Sequence, residues 1–337
     1  MQDLPPEAFW QAKELRGAVR VVTLVALSYC WLHPVNPDPE GKHLRILQHA
    51  LRLRLGLRGP GRVQDLALFI DYMSLPQHGE TGDDPAKPEK DPLLDRTPDE
   101  AAIFKKGLGM VNITYANQQV EVWLLKWVPE SEPRKYMDRG WPFFEQAVSG
   151  LIKDATNLVQ LSIESLEFTS WVELYESTTR ERDAPIEPGR FGEELQRKTF
   201  TNGKSDMDFV QKKYTETFNE VVGGATTLFF PSLGWSDAEA DRLVEVLPLC
   251  HHLELLFVGD NNISPKGQRA LADAAARCET LRVLNMSGNP VNEDWRQMES
   301  AWLGMGKRAH GLRIPRKVTP VGPCALMEDS CSETWSL

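Results

Sequence analysis

Three short stretches of this chain combine residue types that chemistry needs. Ala26-Leu27-Ser28-Tyr29-Cys30-Trp31 sets a hydroxyl, a phenol and a thiol at the end of an apolar run. Phe69-Ile70-Asp71-Tyr72-Met73-Ser74-Leu75-Pro76-Gln77 sets a carboxylate and a hydroxyl at the end of another. Arg139-Gly140-Trp141-Pro142-Phe143-Phe144-Glu145 opens a helix, where Pro142 fits because first-turn N–H groups lack helical partners anyway. Trp141 and Glu145 are four apart and share a face if both are helical. An apolar ring beside a carboxylate raises its pKa, or walls a pocket whose carboxylate binds sugar hydroxyls. Plainer readings stand beside these: Glu145 as an acid favoured near a helix start, Trp141 as core, Asp71 as the cap of a turn. Cys30 has no neighbouring base in sequence and is not expected to be a nucleophile.

Two other clusters fail on spacing. Gly203-Lys204-Ser205 matches the end of a phosphate-binding loop, but Lys198 stands where that loop needs its first glycine. Cys250-His251-His252 has metal-ligand types, yet Cys250 is a repeat position matched by Cys278. The two histidines then fall in the exposed turn before a strand, so no metal site is expected.

The elements that must position these residues read as follows. Val21 to Tyr29, Leu66 to Asp71 and Val120 to Val128 are apolar and β-branched without alternation, the pattern of strands buried on both faces; Asn157 to Ile163 is a weaker fourth. Between them His43 to Leu57 carries Leu44, Leu47, Leu51 and Leu55 at helical spacing. Pro98-Asp99-Glu100 opens a helix with Ile103, Phe104, Leu108, Val111 and Tyr115 on one face, and Phe143 to Ile152 carries Phe144, Val148, Leu151 and Ile152. Strand–helix alternation predicts a parallel sheet, and right-handed crossovers bring all C-terminal strand ends to one edge. Ser28, Asp71, Trp141 and Glu145 are therefore expected in one concavity there, with the helix start offering N–H groups to an anion. His78 to Arg96 and Arg180 to Gly192 read as loop and linker, and the chain from Arg308 as a weakly ordered tail.

The C-terminal part repeats. Leu253-Glu254-Leu255-Leu256-Phe257-Val258 aligns with Leu281-Arg282-Val283-Leu284-Asn285-Met286 at an offset of 28 residues, and the same offset pairs Asn261 with Asn289 and Leu256 with Leu228. One offset holding in three registers predicts a solenoid.

Composition narrows the classes. A net charge of −10 disfavours non-specific binding to nucleic acid or to an anionic membrane. The longest apolar run, Val21 to Leu27, is far short of the roughly 20 residues that cross a bilayer. The segment from Met1 to Glu7 has no basic region and no long apolar core, so no signal peptide is expected. Five scattered cysteines argue against a disulfide framework and for a reducing, cytoplasmic setting.

The quoted segments ALSYCW, FIDYMSLPQ and RGWPFFE resemble the three signature blocks of the heterokaryon-incompatibility (HET) domain, itself similar to Toll/interleukin-1 receptor (TIR) domains. The resemblance covers about residues 20–165. The motif L-x-x-L-x-L-x-x-N-x-I over 253–280 resembles ribonuclease-inhibitor-type leucine-rich repeats. Together these imply an α/β fold: a parallel-sheet, TIR-like (flavodoxin-like) domain over 1–180, a linker and connecting helix over 181–224, a short leucine-rich-repeat solenoid over 225–305, and a tail over 306–337. They imply a signalling or protein-interaction protein, with a protein partner on the repeats and self-association through the TIR-like part. The alternative is a hydrolase of NAD or a related nucleotide that cleaves the N-glycosidic bond. In that reading Glu145 is the catalytic carboxylate, Trp141 its flanking ring, and Ser28, Asp71 and Ser74 lie around the nucleotide; no resident cofactor is implied, NAD entering as substrate. The chain departs from the family pattern at Leu32, where a glycine is expected, and at Phe143 and Phe144, where polar residues precede the glutamate.

Overall fold

The computed structural model describes residues 5–18, 21–33, 36–58, 65–76, 80–81, 89–90, 96–178, 181–200 and 203–315. The loop expected over 78–96 and the tail from 316 lie almost wholly outside them.

The predicted strands form one parallel sheet: β1 (Val22–Tyr29), β2 (Asp65–Phe69), β3 (Val120–Leu125) and β4 (Leu158–Leu161). Their order is β2-β1-β3-β4, with Leu24 opposite Ala67 on one side and Val120 on the other. This order is compatible with a flavodoxin-like, doubly wound sheet. Central β1 and β3 are buried on both faces, whereas β2, at the edge, is only half-buried.

Alternation decides which face each residue serves. Val25, Leu27, Trp123 and Leu125 meet α1 (Lys42–Gly56) and, from later in the chain, α5 (Trp171–Thr178). Ala26, Val122 and Leu124 meet α3 (Val111–Ala116) and α4 (Gly140–Ser149). The buried stripe of α1 is not the leucine stripe read from sequence. It runs His43, Ile46, Leu47, Ala50, Arg54, while Leu44 and Leu55 are exposed. Arg54 is drawn in by Glu121 on β3 at 2.7 Å and by the Trp171 ring beneath its guanidinium. The helix expected from Pro98 is interrupted at Met110: α2 (Pro98–Gly109), closed at its start by a Thr97–Glu100 capping box, buries no residue, and the buried Val111 and Tyr115 belong to α3.

The 28-residue repeat appears as three strand–helix units and a final strand. They are β5 (Thr227–Phe229), α8 (Asp237–Val246), β6 (Leu255–Phe257), α9 (Pro265–Arg277), β7 (Val283–Asn285), α10 (Trp295–Gly304) and β8 (Leu312–Arg313). The strands pair in parallel in chain order, with Leu228 opposite Leu256 and Leu256 opposite Leu284. Leu253, Leu256, Leu281 and Leu284 are fully buried. Residues 306–315, expected in the tail, instead extend this sheet by β8, which buries Leu312 and Ile314.

The stretch 181–224 is packed rather than a loose tether. Arg182, Ala184, Ile186 and Phe191 are buried, and α6 (Pro188–Leu195) and α7 (Lys204–Val221) lie between the two sheets. Phe191 stacks between Phe143 of α4 and Tyr214 of α7. One apolar core therefore runs from Ala26 to Ile314.

Candidate functional site: a buried carboxyl cluster at the end of β1

The end of β1 sends Ser28 toward α4 and Tyr29 toward α1, because successive strand residues face opposite ways. Ser28 is wholly buried, and its hydroxyl lies 2.5 Å from the Tyr136 hydroxyl in the loop before α4. Tyr115 of α3 donates its hydroxyl proton to Leu27 O at 2.8 Å. Glu145 of α4 comes down among them and is 8% exposed. Burial pushes its pKa well above the usual carboxylate range and the Asp71 charge adds to that push; hydrogen bonding with Ser28 and Tyr115 pulls the other way. None of the described cations forms an ion pair with it.

Asp71 begins the single helical turn Asp71–Ser74 that follows β2. Its carboxylate accepts the Tyr72 N–H at 2.6 Å and the Trp31 indole N–H at 3.1 Å, and it hydrogen-bonds with Tyr29. Burial raises its pKa, these bonds only partly opposing. The phenols of Tyr29, Tyr115 and Tyr136 are likewise raised by burial, each with the Glu145 charge as a further cause.

The structure thus brings together Ser28, Asp71 and Glu145 from three separate segments. It does not bring in the other two candidates. Trp141 is turned onto α7: its indole N–H donates to Asp206 at 3.0 Å, and its ring contacts are with Phe144 and Phe209. Ser74 is exposed, and its hydroxyl accepts the Ile70 N–H at 3.1 Å, closing its own turn. Tyr115 and Tyr136 carry much of the cluster's polarity and were missed as site residues. A tyrosine in an apolar context gives no signal beyond the expectation that its buried hydroxyl finds a partner.

The expected anion site at the start of α4 is occupied by the chain itself. Gly140 N–H donates to Thr199 O at 2.9 Å, and Thr199 N–H returns to Asp138 O at 2.9 Å. Pro142 has no N–H, and Phe143 N–H is bonded to Arg139 O. The Phe200 ring fills the space over Gly140, where an added Cβ would lie 1.9 Å from it. Beside this plug, Arg139 donates to Trp31 O at 2.7 Å and pairs with Glu132 at 3.2 Å.

Chemically, the cluster is a buried carboxyl whose pKa is raised, a second carboxyl near it and four hydroxyls, with Asp71 and Tyr29 on its partly exposed side. A buried neutral carboxylic acid is a proton donor when a substrate reaches it. Cys30, close by, is buried, and burial pushes its thiol up to about 12. Among the described residues no three His, Cys, Asp or Glu side chains gather to hold a metal ion, and His251 and His252 are exposed. No helix is long and apolar enough to cross a membrane among the described residues. In comparisons with known proteins, no family model, no curated protein and no solved structure matches the chain.

Proposed function

We propose that the chain is a protein-interaction protein of signalling type: a TIR-like α/β module fused to leucine-rich repeats that present a docking face. The observation that carries this reading is the open face of the second sheet. Leu228, Leu256 and Leu284 point into the core, and their strand neighbours point away from the helices. Phe229 is 53% exposed there, and its ring lies 5.6 Å from that of Phe257 on the next strand. Leu255 and Val283 continue the apolar strip. Exposed apolar area gathered on a rigid sheet is what a protein partner buries. The closure of the Glu145 cluster favours the same reading, since an interaction module has no need of an open pocket.

The test is proximity labelling with the wild-type chain and with Phe229→Asp, folding of the variant being checked by circular dichroism. Loss of a specific set of labelled proteins in the variant supports a docking face. An unchanged set overturns it.

A second reading, hydrolysis of NAD or a related nucleotide, is favoured by one observation: a buried Glu145 of raised pKa beside Ser28 and Asp71. Such a carboxyl suits bond cleavage at a sugar carbon. The assay that separates the readings is nicotinamide release by wild type against Glu145→Gln. Equal rates leave the interaction reading alone; release lost in the variant supports the hydrolase.

A further inference from the structure

Cys250 and Cys278 stand one repeat apart, at the same place in consecutive strand–helix units. Each closes the turn between a helix and the next strand: Cys250 N–H donates to Leu247 O at 3.1 Å and Cys278 N–H to Ala275 O at 3.1 Å. The strands that follow, β6 and β7, pair at the same offset, Leu255 opposite Val283. A disulfide bridges Cα atoms roughly 4.4–6.8 Å apart, a range that includes the about 4.8 Å between the neighbouring strands into which these two turns lead. The two residues also share a carbonyl. Leu247 O accepts both the Cys250 amide and, at 3.5 Å, the Cys278 thiol. Both cysteines line one surface cleft with His251, Arg277 and Glu279.

Their surroundings differ in a way that assigns roles. Cys278 is partly exposed; burial raises its thiol above the ordinary value, and the positive charges of Lys307 and Arg277 oppose that rise in part. Lys307 is held in place by donating to the carbonyls of Cys278, Glu279 and Leu281. Cys250 is 3% exposed, and burial pushes its thiol up to about 12. The more exposed thiol meets an oxidant first, and the thiol standing next to it is the one placed to resolve the product.

We propose that Cys250 and Cys278 form a dithiol–disulfide pair that hydrogen peroxide closes through the cleft, Cys278 attacking and Cys250 resolving. In the first step the Cys278 sulfur attacks one peroxide oxygen. The O–O bond breaks, an S–O bond forms, and the departing hydroxide leaves as water with the thiol proton. In the second step the Cys250 sulfur displaces the hydroxyl of the Cys278 sulfenic acid. The S–S bond forms, the S–O bond breaks, and the hydroxyl leaves as a second water with the Cys250 proton. Two thiols are oxidised by two electrons and one peroxide is reduced to two waters. The result is a covalent clasp between the α8 and α9 ends of adjacent units, and it depends on neither functional reading above. A disulfide of this kind in a reducing compartment is a redox sensor rather than a staple.

The experiment uses the full chain carrying Cys324→Ser and Cys331→Ser, so that only Cys30, Cys250 and Cys278 remain. After hydrogen peroxide and alkylation of free thiols, tryptic peptides are read by mass spectrometry. The expected result is joined Cys250 and Cys278 peptides, lighter by about 2 Da than their sum, with buried Cys30 still free as an internal standard. In Cys250→Ser, dimedone should trap a sulfenic acid at Cys278. In Cys278→Ser, the Cys250 thiol should stay unreacted. Both thiols remaining free in the parent, oxidation at both without joining, or undiminished reaction of Cys250 in Cys278→Ser would overturn the proposal. The joined peptide is read in the parent chain, so the result does not hang on a variant that must fold.

Discussion

Burial strips water from the Glu145 carboxylate and raises its pKa, and that makes the fold sensitive to pH. Its folded pKa is raised, so its contribution to stability is complete below the ordinary glutamate value of 4.5 and is lost as pH rises toward the folded value. Thermal melts at a series of pH values should therefore show wild type falling behind Glu145→Gln above pH 4.5, by up to about 1.4 kcal/mol for each unit of the raised pKa, and matching it below. A constant difference at all pH values would mean that the carboxyl is not the titrating group. Lys153 is the opposite case. It is wholly buried, donates to the carbonyls of Asn117 and Val120, and is pushed down from 10.5 to about 7 by burial and by Arg182. Its contribution is complete above 10.5 and is lost as pH falls through the window down to about 7. Lys153→Met should flatten the slope of stability against pH in that window; an unchanged slope would reject the assignment. At this scale the sequence was legible where chemistry coincides with strand ends. Ser28 and Asp71 end apolar runs and Glu145 sits in a marked helix, so crossover geometry alone puts them together. Trp141 was misread because four-residue spacing places two side chains on one face without saying that α7 would cover one of them.

Elements gave up more in advance, and for a physical reason: a strand buried on both faces and a leucine repeated at fixed offset both leave periodic signals. Leu256, fully buried between Leu228 and Leu284, should cost about 2–5 kcal/mol when cut to alanine, read from the shift in urea midpoint. A loss below about 1 kcal/mol would mean that the repeat has the wrong register. What left no signal was cover supplied from elsewhere in the chain. Nothing near Gly140 announces that Thr199 and Phe200 will sit on it, and the side chains that turn α1 around Arg54 lie on β3 and α5. The Gly140–Phe200 contact is open to a double-mutant cycle. Gly140→Ala alone should cost about 1–3 kcal/mol through overpacking, and little once Phe200→Ala has cleared the space. An equal cost in both backgrounds would place the strain in the α4 backbone instead.

Across the whole molecule, one guanidinium joins the two sheets. Arg182, 5% exposed, donates to Gly150 O at 2.8 Å and Leu151 O at 3.0 Å beyond the end of α4, and to Phe229 O at 3.1 Å at the end of β5. Its plane lies over the Phe230 ring, and its own carbonyl accepts the Trp235 indole N–H. In sequence it stands in a Pro- and Gly-bearing stretch that reads as a linker, because backbone carbonyls, its partners, are written nowhere in a side-chain pattern. Arg182→Met should cost about 3 kcal/mol or more, taking the donor from three carbonyls, two of them buried. Hydrogen exchange should then show β1 and β3 opening apart from β6 and β7; joint opening at unchanged free energy would deny Arg182 this role. The repeats are tied by a different device, with a direction to it. Asn261 Oδ1 accepts the N–H groups of Leu233 and Trp235, and its amide donates to Phe230 O, all in the unit before its own. Asn289 does the same for Ile263 N–H and Val258 O. Each turn is therefore completed by a side chain that follows it by nearly a full repeat. On the ribosome, a unit whose strand and helix have already emerged keeps bare amides and carbonyls at its turn until the next unit's asparagine arrives. Growth of this half is a relay in which the first two units are each finished by their successor.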